Sequence, residues 1–279
     1  MPELPEVELA RKIASTVAVG RRITRVWCAD DRIVYDGVAP STVKRHLTGR
    51  LVCAATRKGK YLWLELDARP WPLLHLGMTG AVRVPGLTPL ALAHGPTGSE
   101  HDPWPPRFAK LRLVFDDGGE LCMTNARRLG RVRLLHDPPN EPPVSLLGFD
   151  PLLELPTPAA FRTLLHRRSG VIKGVLLDQS FAAGVGNWIA DEVLYHAHID
   201  PRRTATSLDD AEIEALRRAL RLVVRTAVRH DAHGEAFPKG WLFHHRWGRN
   251  PEAETASGHR IEHIVVAGRT TAWCPTVQR

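Results

Sequence analysis

The stretch DPPNEPPVSLLGFDPLLELP, residues 137–156, divides the chain. Before it, apolar residues alternate in short runs separated by tight turns. After it, they recur every three or four positions. A stretch so rich in proline cannot extend a strand ladder or fill a helix interior, and it reads as a semi-rigid connector between two lobes. Upstream, ITRVWCA (23–29), RLVCAATRK (50–58), YLWLEL (61–66), LLHLGM (73–78), LRLVF (111–115), ELCMT (120–124) and RVRLL (131–135) have the character of strands. Short turns such as Asp116-Asp117-Gly118-Gly119 join them, which predicts antiparallel sheets in a β-sandwich or barrel. Residues 84–107 form a Pro/Gly-rich loop that interrupts this pattern.

Downstream, PAAFRTLLHRR (158–168), VIKGVLLDQ (171–179), NWIADEVLYHA (187–197) and a long segment from Ser207 to His230 are helical. Ser207 with Asp210 resembles a capping box, and Ile213, Leu216, Leu220, Val223 and Ala227 form the buried stripe of the long helix. Strand character returns near the end, where GHRIEHIVVAGRTTAW has two β-like runs around Ala267-Gly268. The expected fold class is α+β in two lobes: an N-terminal helix plus antiparallel β-sandwich (1–136), the connector (137–156), a helical lobe (157–238) and a terminal β-hairpin (239–279).

A chain of 279 residues can bury a substantial core. Its net charge of +8 points to a polyanionic partner, because Lys and Arg gain affinity by releasing counterions from phosphates. An arginine-rich proteome would give the same balance without any partner. No apolar run approaches the roughly 20 residues of a membrane span, and the N-terminus lacks a signal-peptide pattern. The expectation is an intracellular protein without membrane attachment. Cys28, Cys53, Cys122 and Cys274 are far apart and form no CxxC pair, so they read as reduced small hydrophobes.

The chemistry concentrates at Met1-Pro2-Glu3-Leu4-Pro5-Glu6. Removal of Met1, which proline at position two favours, leaves Pro2 as a free secondary amine. An α-amino group has a reference pKa of roughly 8, so part of it is unprotonated near neutrality. Such an amine can attack an electrophilic sugar carbon and form a Schiff base. Glu3 is then placed to move protons and Glu6 to bias its neighbours. The same residues also suit the acidic first turn of any helix, and Val7, Ala10, Ile13 and Val17 give residues 2–18 helical spacing. Gly184-Val185-Gly186-Asn187 opens a helix as an anion site could, although such a motif alone is more often a turn. Lys60 lies in the basic run Arg57-Lys58-Gly59-Lys60, which could equally be a solvated turn. Met78 and Leu129 stand at strand ends, with Arg127 and Arg128 beside Leu129, as a protein that wedges into a base stack requires. A core methionine is the plainer reading of Met78.

Together these residues carry a resemblance to the formamidopyrimidine-DNA glycosylase/endonuclease VIII family. The matching pieces are PELPEVE, RKGKYLWLEL, HLGMTG, ARRLG, IKGVLLDQ, GVGNWIADEVL and GRTTAWCPTVQ, in family order over nearly the whole chain. The resemblance implies a helix-two-turns-helix domain in the second lobe and a bifunctional DNA glycosylase/AP lyase that acts by β,δ-elimination. It implies that Pro2 is the nucleophile, Glu3 the proton donor and acceptor, Glu6 a second carboxylate of that site, and Lys60 a phosphate holder. Met78, Arg127 and Leu129 match the trio that fills the place of the everted base. His75, Lys173, Asn187 and Arg269 match DNA-backbone contacts. The implied partner is damaged double-stranded DNA, bound by a monomer, in the nucleus of a eukaryote or the cytoplasm and nucleoid of a bacterium.

Two departures matter. Most bacterial members end in a four-cysteine zinc finger, whereas only Cys274 remains here, with Val277 at the next cysteine position. The terminal hairpin therefore resembles the zincless finger of the plant and fungal branch, and no zinc or other cofactor is expected. Zinc held by His259, His263, Cys274 and another histidine is the rival reading. The second departure is the short connection DAHGEAFPKGWLFHHRWG (231–248), where relatives efficient on 8-oxoguanine carry a longer loop in the helical lobe. It suggests a preference for formamidopyrimidines and hydantoins over 8-oxoguanine. Leu129, where phenylalanine is frequent, suggests a weaker wedge. A non-catalytic damaged-DNA-binding protein is the alternative from another class, and an RNA-binding module leaves the first lobe unexplained.

Overall fold

The computed structural model describes residues 1–87 and 103–279, and these divide into two compact units, 1–146 and 147–279. The division falls inside the proline-rich connector. Residues 88–102, most of the loop expected at 84–107, lie outside the described part.

In the first unit, helix α1 (Leu4–Ala18) precedes β1 (Ile23–Cys28) and a short helix α2 (Pro40–Leu47). Strands β2 (Val52–Lys58), β3 (Tyr61–Leu66), β4 (Trp71–His75), β5 (Ala81–Arg83), β6 (Ala109–Phe115), β7 (Glu120–Thr124) and β8 (Arg131–Leu135) follow. They form two antiparallel four-stranded sheets, ordered β1-β6-β7-β5 and β2-β3-β4-β8. Alternation buries Leu62, Leu64, Leu66, Leu74 and Val132 of one sheet with Leu111, Leu113, Phe115, Leu121 and Met123 of the other. Helix α1 adds Val7, Ala10, Ala14 and Ala18 to this core and touches strands of both sheets. Its first turn is therefore mounted on the sandwich.

The expected strands are all present, with ends shifted by a few residues; the 73–78 run stops as a strand at His75 and turns at Gly77. Helix α2 and strand β5 carry too little apolar pattern to be read in advance. Eight residues of α2 bury only Val43 and Leu47, and β5 spans three residues.

The second unit holds α3 (Pro158–His166), α4 (Ile172–Leu177), α5 (Asn187–Ala197), the long α6 (Asp210–Arg229) and a hairpin of β9 (Glu262–Val266) and β10 (Arg269–Trp273). All five stripe residues of α6 are buried. Its cap differs from the expected Ser207–Asp210 pair. Asp209 accepts the Glu212 N–H and Glu212 accepts the Asp209 N–H, both at 2.8 Å, while Ser207 ends a short 3₁₀ turn. Leu208 is buried between them, which sets the helix start two residues later than the Ser207 cap requires. The β9–β10 turn takes positive φ at both Ala267 and Gly268, the conformation a two-residue hairpin favours.

Candidate active site

The start of α1 is a reciprocal capping box. Glu3 is the N-cap; its carboxylate accepts the Glu6 N–H, and Glu6 Oε2 accepts the Glu3 N–H at 2.9 Å. Pro2 and Glu3 are buried and Glu6 half-buried, so the three lie together in a poorly solvated turn. Burial, then the neighbouring Glu3 charge, raises the Glu6 pKa from 4.5 to about 7. This carboxyl can hold or release a proton near neutrality.

Glu8, one turn on, ties this helix to the Lys60 turn. It accepts Nε of the fully buried Arg57 at 2.9 Å and pairs with Arg11 at 2.8 Å. Arg57 Nη1 then donates to the Gly59 carbonyl at 3.2 Å. Lys58 and Tyr61 are paired in the ladder, which leaves Gly59-Lys60 as the two-residue turn, with Gly59 at φ +56°. The buried pair thus couples the element bearing Pro2 to the one bearing Lys60. Across the same sheet, His75 registers between Tyr61 and Arg131, with its ring 4.9 Å from that of Tyr61. Burial first, then the charges of Lys60, Arg131 and Arg133, lowers the His75 pKa to about 4. Lys60 therefore has a neutral imidazole for a neighbour.

Met78 lies half-buried in the turn after β4, and Arg127 and Leu129 are exposed in the turn before β8. The two turns touch, because a Cβ added at Gly77 would stand 2.5 Å from the Leu129 carbonyl carbon.

In the second unit, Asn187 opens α5 and donates to the Thr270 carbonyl at 2.8 Å, next to the exposed Arg269. Lys173 behaves otherwise. It is completely buried, and its Nζ meets Asp191 at 2.6 Å, Thr271 Oγ1 at 2.6 Å and the Thr270 carbonyl at 3.2 Å. Its ammonium is engaged inside the unit, paired with Asp191 and hydrogen-bonded to Thr270 and Thr271, and so holds the hairpin against α4 and α5. Asp191 also accepts Arg246 at 2.5 Å and the Ala272 N–H at 3.1 Å. Adjacent Glu192, also buried, accepts the N–H groups of Leu242 and Phe243 at 3.0 and 2.7 Å. Sequence reasoning missed Asp191 and Glu192. The available signal was a pair of acids set among Trp188, Ile189, Val193 and Leu194, all of them buried.

The residues of the rival zinc site are occupied separately. His259 Nδ1 meets Ser257 Oγ at 3.1 Å, His263 Nε2 meets the Arg246 carbonyl at 3.1 Å, and Cys274 Sγ meets Thr276 Oγ1 at 3.3 Å. Among the described residues no group of three His, Cys, Asp or Glu is arranged as a metal site. Ala253, Ile261 and Ala272 pack with Leu242 and Tyr195 instead, and Gln278 ties the Cys274 N–H to the Ile199 carbonyl.

Comparison with known proteins gives concordant matches. Residues 1–132 match the formamidopyrimidine-DNA glycosylase N-terminal domain, and residues 147–238 match the H2TH domain of the same enzymes. The chain is 42% identical to the formamidopyrimidine-DNA glycosylase of Arabidopsis thaliana, over all of this chain and 71% of that protein. It is 32% identical to that of Geobacter metallireducens, over the whole of both. Among solved structures, Lactococcus lactis formamidopyrimidine-DNA glycosylase bound to AP-site DNA superposes with a TM-score of 0.80 at 27% identity, covering 99% of each chain. MutM in complex with DNA containing carbocyclic 8-oxo-G also gives 0.80 at 27% identity, over all of both chains.

Proposed function

Because the chain belongs to the formamidopyrimidine-DNA glycosylase family, the DNA glycosylase/AP lyases of base excision repair, we infer its working residues from that premise and from the geometry above. The substrate is damaged duplex DNA. A lesion must leave the base stack before its glycosidic bond can be reached. With Met1 removed, the Pro2 nitrogen attacks C1′ of that nucleotide, and the glycosidic electron pair departs with the base. Glu3 protonates the ring oxygen as the sugar opens to an iminium on Pro2. The iminium acidifies the 2′ hydrogens; loss of one expels the 3′ phosphate, and a further elimination expels the 5′ phosphate. No step calls for a metal or redox cofactor, and the finger works as an apolar, hydrogen-bonded hairpin without zinc.

The observation that carries this reading is the reciprocal Glu3–Glu6 box set beside the buried Pro2. Glu6 accepts the Glu3 N–H and adjusts the charge Glu3 experiences. Lys60 supplies a cation, and neutral His75 a hydrogen-bond donor, to the phosphate beside the lesion. Met78, Arg127 and Leu129 fill the place of the everted base. Arg269 and Asn187 grip the backbone, while Lys173 supports the hairpin that presents Arg269. The enzyme acts as a monomer. Among the described residues no helix is long and apolar enough to cross a membrane.

Borohydride trapping on AP-site and guanidinohydantoin duplexes, for wild type and Pro2→Gly, tests the assignment when combined with N-terminal mass determination. A covalent adduct at the terminal proline, lost or much weakened in the variant, is expected. Tight lesion binding without adduct or strand cleavage would instead establish a damage-binding protein. Within the enzyme reading, the short 231–248 connection supports faster excision of hydantoins and formamidopyrimidines than of 8-oxoguanine. Comparable excision of 8-oxoguanine and guanidinohydantoin opposite cytosine would refute that preference.

A further inference from the structure

Met78 and the Arg127/Leu129 pair reach their positions from two turns far apart in the chain, yet those turns are built as one object. Asn125, fully buried, spans them: its Nδ2 donates to the Leu76 carbonyl at 2.7 Å, and its Oδ1 accepts the Gly130 N–H at 3.0 Å. Glycine surrounds this amide because nothing larger fits. A Cβ added at Gly80 or at Gly130 would stand 2.5 Å from Asn125 Nδ2, and Gly77 already abuts Leu129.

The outer side of the second turn is fixed independently. Arg128 takes positive φ, +55°, which turns its side chain away from its neighbours and onto Asp31. Its Nε and Nη2 both bond that carboxylate, at 3.0–3.1 Å. Asp31 is nearly fully buried and is held by Lys110 Nζ at 2.8 Å and by the Ile33 and Val34 N–H groups at 3.2 and 3.3 Å. These partners keep its carboxyl well below the usual carboxylate range despite burial. Arg131 closes the inner side by donating to the Arg128 and Gly130 carbonyls at 3.2 and 2.7 Å. Arg128 is thereby committed to the protein, and Arg127 has no ion-pair partner among the described residues. Leu129 stands 42% exposed beside it.

We propose that Asn125 and Asp31 are positioning residues of one preformed wedge, Asn125 fusing the two turns and Asp31 anchoring the second of them, so that Met78, Arg127 and Leu129 enter the duplex together. The proposal rests on the reading of those three residues as fillers of the vacated base position. A block already ordered before binding avoids the entropy cost of arranging three side chains during insertion. Both positioning side chains are buried beneath the turns they hold.

The test compares full-length Asn125→Ala and Asp31→Asn with wild type in two assays. One is single-turnover excision of guanidinohydantoin from a duplex, which requires eversion. The other is strand cleavage at an AP site in a single-stranded oligonucleotide, where no base is everted and no void is filled. The duplex-to-single-strand rate ratio is expected to fall at least fivefold in both variants, whereas a general loss of folded protein lowers both rates equally and leaves the ratio unchanged. Asp31→Asn, close to isosteric, decides the matter if Asn125→Ala does not fold. A smaller fall in either folded variant overturns the proposal when Leu129→Ala does lower the ratio. An unchanged ratio in Leu129→Ala removes the wedge reading itself, and the proposal with it.

Discussion

At the scale of single residues, the controlling quantity is where Glu6 keeps its proton. Its carboxyl binds a proton more tightly in the folded chain, pKa about 7, than at its ordinary value of 4.5. As pH rises through that window the unfolded chain releases its proton first, so the fold loses stability, the reverse of the usual salt-bridged carboxylate. The full loss is on the order of 3 kcal/mol and is complete somewhat above pH 7. Glu6→Gln remains neutral and can still accept the Glu3 N–H. Its melting temperature is expected to exceed that of wild type by several degrees at pH 8 and to lie close to it at pH 5; a pH-independent difference would contradict the assignment. The acidic helix start of this site was legible in sequence, although not the reciprocal Glu3–Glu6 box that closes it. The Glu8–Arg57 pair was not, because its partners are 49 residues apart and nothing local distinguishes Arg57 from the solvated arginines around it.

At the scale of elements, α5 is the hub of the second unit. Two adjacent acids leave it in different directions: Asp191 to α4 and β10 through Lys173 and the Ala272 N–H, and Glu192 to the turn at 242–243. Asp191→Asn would leave the buried Lys173 and Arg246 facing a neutral amide. Breaking a buried pair from one side costs roughly 3–5 kcal/mol, because the remaining charge is uncompensated. Urea unfolding should show a loss of that size, and a loss below about 1 kcal/mol would mean that solvent reaches the pair. The elements themselves were readable wherever a long period imposed them. Helix α5 runs from 187 to 197 as expected, and the α6 stripe is buried at every position. Legibility failed where the competing signals were short, as at the α6 cap, where Asp209–Glu212 displaced Ser207–Asp210, and at α2 and β5. The terminal hairpin was readable from its two β-like runs, but the Gln278 and Tyr195 contacts that close it depend on long-range packing.

At the scale of the whole molecule, the net charge of +8 becomes a statement about salt. Each phosphate neutralised by a cation releases counterions, so the logarithm of the binding constant falls with that of salt concentration by about 0.9 per contact. Structure divides the basic residues into those that can contribute to this slope and those that cannot. Arg269 is exposed at the head of β10, and its removal is expected to weaken duplex binding and reduce the slope by about 1. Lys173 carries the same formal charge, but it is held at 2.6 Å by Asp191, a carboxylate it shares with Arg246, and no solvent reaches it. Lys173→Met should therefore weaken binding through a loosened hairpin while leaving the slope within about 0.3 of wild type. Anisotropy titrations of a lesion duplex between roughly 50 and 300 mM KCl measure both variants directly. A slope reduced by about 1 in Lys173→Met would mean that its ammonium leaves Asp191 and meets a phosphate when DNA binds. Equal slopes in Arg269→Ala and wild type would instead remove the hairpin from the DNA interface. The two variants thus separate the charges that bind DNA from those that build the surface on which binding occurs.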